Sequence, residues 1–600
     1  MSTAHTFHIP VLGVGYSMDT PIKVAHLGID SVISIVDDFV MEKMRKFYSE
    51  KFCLPFESVN NNTKNSRVKR ITLYLNMVND IVEKKVESFR LAARETYTQV
   101  REYLGLLPEN ATLLDDFNAW VKTKKNPSDI VAWIRENLPV GSIDVNIMTK
   151  VDKTNYYNGE ALPYINNDAH AALRGFAESK LKSSVVFSAG MNPRLYGYIE
   201  QFEDFYPDAE GTLSKKIILK VSDYRSAEIQ GKFLAKKGLW VSEYRIESGL
   251  NCGGHAFATE GYLLGPILEE FKNQRDTLIQ SQHELFINAL KAKNRPVPSH
   301  ILPVRITAQG GVGTAEEHNF LLRYYRLDAI GWGTPFLLVP EATSVDSDTL
   351  QQLQNAGEGD LYRSDISPLG VPFNNLRNNS KDLEKDQATL RGTPGTSCPK
   401  KLLVSTTEFS TIPLCTASSK YLKQKIKAIN NESGTPESKM IRIRKLTEKA
   451  CLCMGLSEST LQSHGIGKEK SGRGVSICPG PNLAYFSRIM TLNDITGHIY
   501  GKTNMCNNTF RPNLFFKEII LYIEYLESKI SEAGKIIATK QQGHLRAFAE
   551  HLENGIHYYL ALFKRNNKLF AVKHKPNETV LLEFLQGIES IKNRINTMAE

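Results

Sequence analysis

Residues 305–341 read RITAQGGVGTAEEHNFLLRYYRLDAIGWGTPFLLVPE, and this stretch decides the fold. A β-branched run leads into Gly310-Gly311, and a second apolar run ends at Gly331-Trp332-Gly333-Thr334. Between them, Thr314 begins a helical pattern, and Glu317 stands three residues later, where a capping box places its acidic residue. The stretch therefore predicts a strand, a glycine turn, a capped helix, a second strand and a second glycine turn.

Two glycine turns separated by one helix are typical of an anion site. Glycine lets the backbone come close to a ligand, and the free amides at a helix N-terminus point towards a phosphate. In a β/α barrel, the loops after the last two strands commonly form such a pocket. We therefore predict that Gly310, Gly311, Gly333 and Thr334 bind a phosphate group.

The same alternation of strand and helix precedes this stretch. Apolar, β-branched runs predict strands at residues 9–15, 31–36, 143–149, 184–188, 216–222 and 239–246. Six to eight parallel strands separated by helices indicate an α/β fold of the TIM-type (β/α)8 barrel class, whose chemistry gathers at the C-terminal ends of the strands.

The domain organisation follows from where this rhythm stops. We assign residues 1–36 and 139–345 to the barrel and residues 37–138 to a long helical insertion. Residues 346–510 are predicted to form a loop-rich region that contains cysteines, and residues 511–600 a mainly helical C-terminal region. Within the insertion, Ile71, Leu75, Val78 and Val82 form the apolar stripe of an amphipathic helix; we read the insertion as scaffold.

Composition excludes several classes of protein. The chain has 600 residues, of which 41% are hydrophobic and 23% charged, as expected of a globular protein, and a net charge of +9 over this length is a mild lysine excess rather than a nucleic-acid signature. The sequence shows neither a signal-peptide pattern nor an apolar segment of about 18 residues, so we expect a cytoplasmic protein without a membrane span. Its eight cysteines are then best read as free thiols or metal ligands.

Gly253-Gly254-His255 follows a predicted strand and should lie on the same rim as the phosphate turns. A histidine there can act as a general base near neutral pH, although an isolated loop histidine is more often structural. A barrel with a phosphate site and a base suggests FMN or pyridoxal phosphate. Lys150 and Lys220, both at strand ends, keep a pyridoxal Schiff base open as an alternative.

Seven segments, in this order along the chain, resemble the FMN-dependent 2-nitropropane dioxygenase-like family. This family includes the nitronate monooxygenases and the flavin-dependent enoyl-acyl-carrier-protein reductases. The segments are TPIKVAHLGI (20–29), VNI (145–147), SAGMNPR (188–194), CGGH (252–255), AQGGV (308–312), GTPF (333–336) and SPLGVPFNNLRN (367–378).

The resemblance implies an FMN-dependent oxidoreductase in which His255 is the active-site base. It implies that the predicted phosphate turns hold the FMN phosphate, and further cofactor contacts are expected from Gly13, Gly15, Asn146, Lys220, Gly253 and Gly254. The sequence also departs from the family pattern. Asn251-Cys252 stands where many members have Glu-Ala, Pro335 replaces an arginine, and the long insertion and the cysteine-bearing tail are foreign to the simple monooxygenases. We therefore expect the protein to bind FMN as the family does, but we do not expect nitronate to be its substrate.

Cysteines of the tail form a second constellation, Cys398, Cys415, Cys451, Cys453 and Cys478. Cys-Pro pairs occur in iron–sulfur loops, so a [4Fe–4S] cluster feeding electrons to the flavin and a structural zinc are both open. The spacing is not a compact Cys-x₂-Cys series, and scattered buried thiols are the plain alternative.

Other functional readings remain open at this stage. The first is an enoyl-thioester reductase that uses NAD(P)H. Its substrate would be an acyl-thioester, whereas the leading reading allows any small molecule. The second is a non-catalytic scaffold that binds a phosphate ligand and docks a partner through its helical tail, and the third is redox modification of RNA. The helices predicted in residues 511–600 are most simply elements that pack within the fold. A contact surface of a homodimer is the alternative.

Overall fold

A computed structural model describes residues 4–61, 63–109, 112–123, 129–157, 159–188, 190–256, 260–466, 474–533, 538–565, 570 and 576–598. Eight parallel strands form a closed barrel in sequence order, each hydrogen-bonded to the next, with the last paired to the first. They are β1 (Phe7–Ile9), β2 (Asp30–Ser34), β3 (Ile143–Met148), β4 (Ser184–Ser188), β5 (Lys216–Val221), β6 (Val241–Glu247), β7 (Arg305–Gln309) and β8 (Ala329–Gly331). The predicted TIM-type barrel is confirmed.

Helices surround the barrel and continue beyond it. The α-helices are α1 (Thr20–Val24), α2 (Asp38–Lys51), α3 (Ser66–Ala92), α4 (Thr98–Gly105), α5 (Thr112–Lys122), α6 (Asp129–Asn137), α7 (Asp168–Ala177), α8 (Pro193–Tyr198), α9 (Tyr224–Ala235), α10 (Leu264–Ala292), α11 (Ala315–Tyr324), α12 (Ser347–Asn355), α13 (Ser380–Leu390), α14 (Ser419–Asn431), α15 (Pro436–Thr447), α16 (Leu452–Ser463), α17 (Leu492–Tyr500), α18 (Leu514–Ala533), α19 (Thr539–Arg565) and α20 (Asn577–Asn596). Short 3₁₀ turns lie at Ala25–Leu27, Tyr164–Asn166, Ile199–Gln201, Glu203–Phe205, Thr334–Leu338, Glu358–Asp360 and Pro481–Tyr485. Two antiparallel hairpins pair Tyr156–Tyr157 with Glu160–Ala161 and Leu361–Ser364 with Phe373–Leu376.

Local sequence signals explain where several of these elements begin and end. Thr314 caps α11, its Oγ accepting a hydrogen bond from the Glu317 backbone N–H at 3.2 Å. Gly28 closes the turn after α1 with a left-handed φ of 78°. The apolar stripe predicted in the insertion lies on α3, and its four residues are buried. The strand predicted at residues 9–15 lies too far along the chain, because β1 spans Phe7–Ile9 and shares only Ile9 with it.

The C-terminal region contains more regular structure than the sequence predicted. Among its described residues, 346–510 carry the helices α12 to α17 between long connecting segments. Its core is continuous with that of the barrel, since one cluster of buried side chains contains Phe7 of β1, Phe515 of α18 and Tyr559 of α19. No helix in the described ranges is both long and apolar enough to cross a bilayer.

A buried charged contact attaches this region to the barrel. The Arg511 guanidinium donates two hydrogen bonds to the Glu317 carboxylate of α11, at 2.7 and 2.9 Å. The same carboxylate accepts hydrogen bonds from the backbone N–H groups of Leu514 and Gly313. Only 1% of the Glu317 side chain is exposed, so this charge depends on its partners for solvation.

We predict that Arg511→Met destabilises the fold by about 3–5 kcal/mol, because it leaves the Glu317 carboxylate buried without its cation. Thermal and urea unfolding followed by circular dichroism measure this. The control is Arg442→Met, which removes an exposed partner of Glu432 and should leave the transition unchanged. Equal stability of the two variants would show that the Arg511 contact does not anchor the C-terminal region.

Candidate active site

A cavity of about 310 Å³ lies at the C-terminal end of the barrel. Residues at or just beyond the ends of β1 to β6 line it, and residues of the C-terminal region cover it. Of the predicted site residues, it brings together Gly13, Asn146, Lys220, Gly253, Gly254 and His255. This is the end of a β/α barrel at which catalytic groups converge, and the volume is at the lower end of the range for small-molecule sites.

His255 is held at the edge of this cavity by the loop that follows β6. Its Nε2 lies 2.7 Å from the Ser367 Oγ, and its backbone carbonyl accepts a hydrogen bond from the Asn251 side-chain amide at 2.9 Å. Burial, assisted by the positive charge of Lys220, lowers the pKa of His255 from 6.5 to about 4. The imidazole is therefore neutral near pH 7, the state in which it can accept a proton.

An ion pair lies in the same cavity. The Lys220 Nζ at the end of β5 is 2.8 Å from the Glu247 carboxylate at the end of β6. Glu247 also accepts a hydrogen bond from the Gln309 side-chain amide of β7 at 2.8 Å. The pair places a donor and an acceptor side by side on the cavity wall.

Asn146 supplies an unsatisfied polar atom. Its side chain is 4% exposed and lines the cavity, and no described residue donates a hydrogen bond to its buried Oδ1. A buried acceptor without a donor is costly, so such an atom indicates a place where a ligand or a water donates. Gly254 lies on the same wall, and a Cβ added there would meet no atom within 4 Å, so its open side leaves room for a ligand.

The roof of the cavity is apolar and comes from the C-terminal region. Its residues include Leu402, Leu403, Leu452, Cys453, Leu456 and Phe373. Lys400 fastens this roof to the barrel, because its Nζ contacts the Asp37 carboxylate at 2.5 Å and the Ser457 Oγ at 2.8 Å. No local feature of the sequence marked these leucines as part of the site.

The predicted phosphate turns do not line the cavity. Gly310, Gly311, Gly333 and Thr334 are all buried. Asn482 and Gly480 of the C-terminal region cover Gly311 and Thr334, and Asn251 and Cys252 lie against Gly310 and Gly333. The Asn482 side-chain amide donates to the backbone carbonyls of Gly311 and Val312 at 2.7 and 2.8 Å.

Two further contacts fill the same space. The Gly480 N–H donates to the Thr334 Oγ at 3.0 Å, and the Arg511 guanidinium donates to the Gly311 carbonyl at 2.7 Å. Residues 478–482 and Arg511 therefore occupy the space beside Gly311 and Thr334. Gly15 is also away from the cavity, since its N–H donates to the Leu456 carbonyl of α16 at 3.2 Å.

The cysteines of the tail are only partly together. Cys398 and Cys415 form one pair of thiols within hydrogen-bonding reach, and Cys451 and Cys453 form another nearby. Cys478 lies elsewhere, against Gly13 at the cavity.

Across the described ranges, no three cysteine, histidine or acidic side chains are arranged to hold one metal ion. The structure therefore does not bring the five candidate ligands together as one centre, because the chain carries Cys478 to the barrel mouth and away from the other four.

Besides the roof leucines, sequence reasoning missed Glu247, which lines the cavity, and Ser367, which contacts His255. Glu247 could have been paired with Lys220, because opposite charges end two consecutive strands. Ser367 carried no signal as a partner of His255, since 112 residues separate them. The segment 188–194 falls partly outside the described residues, because Ala189 does, whereas Ser188 and Gly190 line the cavity.

Comparison with known proteins finds a distant structural likeness. No protein-family model matches the chain, and no curated protein matches it. Among solved structures, the chain is similar to the enoyl reductase domain of MlnA from the macrolactin biosynthesis cluster of Bacillus amyloliquefaciens. The sequences are 12% identical, the match covers 62% of this chain and 84% of that domain, and the TM-score is 0.34. The case for a function therefore comes from the cavity and its residues.

We predict that the His255 imidazole titrates near pH 4 in the folded protein. The unfolded chain binds this proton near pH 6.5, so this group destabilises the fold as the pH falls from about 6.5 towards 4. NMR spectra of protein labelled with carbon-13 at histidine Cε1, recorded over a range of pH, measure the midpoint of this titration. The His255→Gln variant identifies which signal belongs to His255. A midpoint near 6.5 would contradict the burial of the ring.

Proposed function

We propose that this chain is an FMN-dependent oxidoreductase whose reaction takes place in the barrel-mouth cavity, with His255 as the base. The observation that carries the proposal is the meeting of a neutral histidine, the Lys220–Glu247 pair and the unsatisfied Asn146 Oδ1 in one enclosed cavity. Enclosed clefts with a few convergent polar groups and a perturbed pKa are where enzymes work.

The cavity residues fit the ring of a flavin. A flavin ring is flat and carries N–H and carbonyl groups along one edge. The Asn146 Oδ1 can accept from such an N–H, the Lys220 Nζ can donate to a carbonyl, and the bare side of Gly254 leaves room for a ring face. Bound FMN would supply hydride or single-electron transfer; the protein supplies position and electrostatics.

The phosphate end of FMN fits less simply. The turns proposed for it are covered by Gly480 and Asn482, so binding there requires this short segment to swing away. The segment contains no helix longer than the 3₁₀ turn Pro481–Tyr485, and its displacement would free the Gly311 carbonyl from Asn482 and the Thr334 hydroxyl from Gly480. Flavin loading is therefore expected to involve a change at residues 478–482.

The chain's own residues have distinct roles in this proposal. Neutral His255 removes a proton from the substrate, while Ser367 fixes the orientation of its ring. Burial keeps the imidazole neutral, with the charge of Lys220 as a secondary cause, and the leucine roof shields the site from water. A neutral imidazole favours the oxidation of a substrate with an acidic C–H bond over reactions that need a proton donor.

The apolar roof favours a second candidate, a flavin-dependent reductase of enoyl-thioesters that uses NAD(P)H. Leu402, Leu403, Leu452 and Leu456 offer an acyl chain a dry surface that a small polar substrate does not need. The two candidates differ in the direction of electron flow. Oxidation of NADPH dependent on an enoyl-thioester supports the reductase, and flavin reduction by the substrate alone supports the oxidase.

The absorbance spectrum of freshly purified protein tests the proposed cofactor. A yellow protein, or apoprotein that takes up FMN in a fluorescence titration, supports the proposal. Asn146→Leu should weaken FMN binding by about 5- to 150-fold, because a buried ring N–H left without its acceptor costs about 1–3 kcal/mol. The control is Asn430→Leu, at an exposed position of α14. A colourless protein that takes up no FMN would favour the scaffold reading instead.

We predict that His255→Ala retains FMN but lowers turnover by about 10²- to 10⁴-fold, since the variant lacks the base and keeps the ring contacts. Steady-state kinetics together with the flavin content of the variant measure this. Unchanged turnover with bound flavin would remove His255 from the reaction.

A further inference from the structure

The positive charge of the chain is concentrated in one short part of it. Residues 391–449 contain twelve lysines and arginines and four glutamates, a net charge of +8, whereas the whole chain carries +9. The centre of this part is a helical hairpin formed by α14 and α15, residues 419–447, which we call the basic hairpin. The rest of the chain is therefore almost neutral, and a single surface creates most of the positive field of the protein.

One face of α14 is a row of lysines. Three buried apolar residues fasten the other face to the fold, namely Tyr421, Leu422 and Ile429. Lys420, Lys423 and Lys427 follow each other at intervals of three and four residues, so they lie together on the exposed side. Among the described residues, no carboxylate forms an ion pair with these three, whereas Lys425 of the same helix pairs with Glu408 at 2.7 Å.

The second helix of the hairpin adds exposed apolar residues. α15 packs against α14, and Thr447 is its one buried residue. Ile441 is 68% exposed and Met440 65%. Arg444 and Lys445 lie one turn beyond Ile441, three and four residues along, so they flank it on the same exposed face. Within the described ranges, neither of these two cations forms an ion pair.

A third exposed apolar residue adjoins this face. Leu390, the last residue of α13, is 88% exposed and lines one groove together with Arg444. Exposed apolar side chains on a soluble surface are normally scattered singly. Their gathering beside unpaired cations therefore points to a partner that offers both negative charge and an apolar layer.

We propose that the basic hairpin binds the surface of a lipid bilayer that contains anionic headgroups. The lysine row of α14 contacts the headgroups, and Ile441 and Met440 enter the boundary between headgroups and acyl chains. Helices that carry cations beside exposed apolar residues lie on membranes in this way, held by charge and by buried apolar area. The binding is peripheral, in agreement with the lack of a membrane-spanning candidate among the described helices.

Two other anionic partners fit this surface less well. Single-stranded nucleic acids stack their bases on aromatic side chains, and the one aromatic residue of the basic hairpin, Tyr421, is buried. A duplex read through its phosphates leaves exposed Ile441 without a partner. Protein interfaces favour arginine over lysine, yet of the five unpaired cations of the hairpin only Arg444 is an arginine.

The test measures how the full-length protein binds to lipid vesicles that are then collected by sedimentation. Vesicles made of equal parts phosphatidylserine and phosphatidylcholine should bind the protein, and vesicles of phosphatidylcholine alone should bind it far more weakly. Salt screens the attraction between lysines and headgroups, so binding should fall as sodium chloride is added.

Lysine variants locate the binding surface. Each cation beside an anionic bilayer strengthens binding about fivefold, so loss of the three-lysine row should weaken vesicle binding by about 100-fold. The variant combines Lys420→Gln, Lys423→Gln and Lys427→Gln. The matched control removes the same charge from exposed positions outside the hairpin and should bind like the wild type; it combines Lys69→Gln, Lys84→Gln and Lys182→Gln. Circular dichroism checks that both variants are folded.

A further variant tests the apolar part of the contact. Ile441→Ser should weaken binding to the anionic vesicles by about tenfold, because the serine buries less apolar area in the bilayer. The control is Ile229→Ser, at an exposed position of α9, which should leave vesicle binding unchanged.

Three results would overturn the proposal. The first is a protein that does not bind the anionic vesicles, or binds both kinds of vesicle equally. The second is an equal loss of binding in the lysine variant and its control. The third is a double-stranded RNA that binds more tightly than the vesicles and is unaffected by Ile441→Ser, which would assign the hairpin to nucleic acid. None of these measurements depends on whether the barrel binds FMN.

Discussion

The buried carboxylate of Glu317 is the contact on which the arrangement depends. It lies at the start of the helix between the last two strands, and it accepts hydrogen bonds from Arg511 and from the backbone of Leu514 and Gly313. A second buried carboxylate repeats this pattern, since Glu518 of α18 accepts from the Ser248 hydroxyl and the Leu264 N–H. Both contacts hold α18 and the segment before it against the top of the barrel.

This attachment converts an open barrel mouth into an enclosed cavity. A parallel barrel alone leaves the ends of its strands exposed to water, where electrostatic interactions are weak. The C-terminal region covers those ends with leucines, and burial then lowers the pKa of His255. The same attachment also lays residues 478–482 over the glycine turns. The region that covers the barrel-mouth cavity therefore also covers the predicted phosphate site. The apolar roof of the cavity and the covered glycine turns are thus consequences of a single packing arrangement.

Sequence reasoning succeeded where the signal is local. The Thr314 cap and the left-handed turn at Gly28 depend on a few neighbouring residues, and the barrel follows from the repeated alternation of strand and helix. Asn146, Lys220 and His255 could be assigned to one rim because parallel strands in a barrel end at the same face.

What the sequence did not reveal depends on contacts between distant parts of the chain. Asn482 reaches Gly311 across 171 residues, and Arg511 reaches the same carbonyl across 200. No propensity or spacing rule encodes such a contact, so the turns were expected to be open. The same applies to Cys478, which is followed by a proline as Cys398 is, but whose loop runs to the barrel mouth.

A crystal structure of the protein grown with FMN tests the central claim most directly. The account predicts a flavin ring in the barrel-mouth cavity, with an N–H of the ring edge donating to the Asn146 Oδ1 and a ring face beside Gly254. It also predicts that residues 478–482 are displaced if the phosphate lies on the glycine turns. An empty cavity in the presence of saturating FMN, or a flavin bound away from Asn146 and His255, would contradict it.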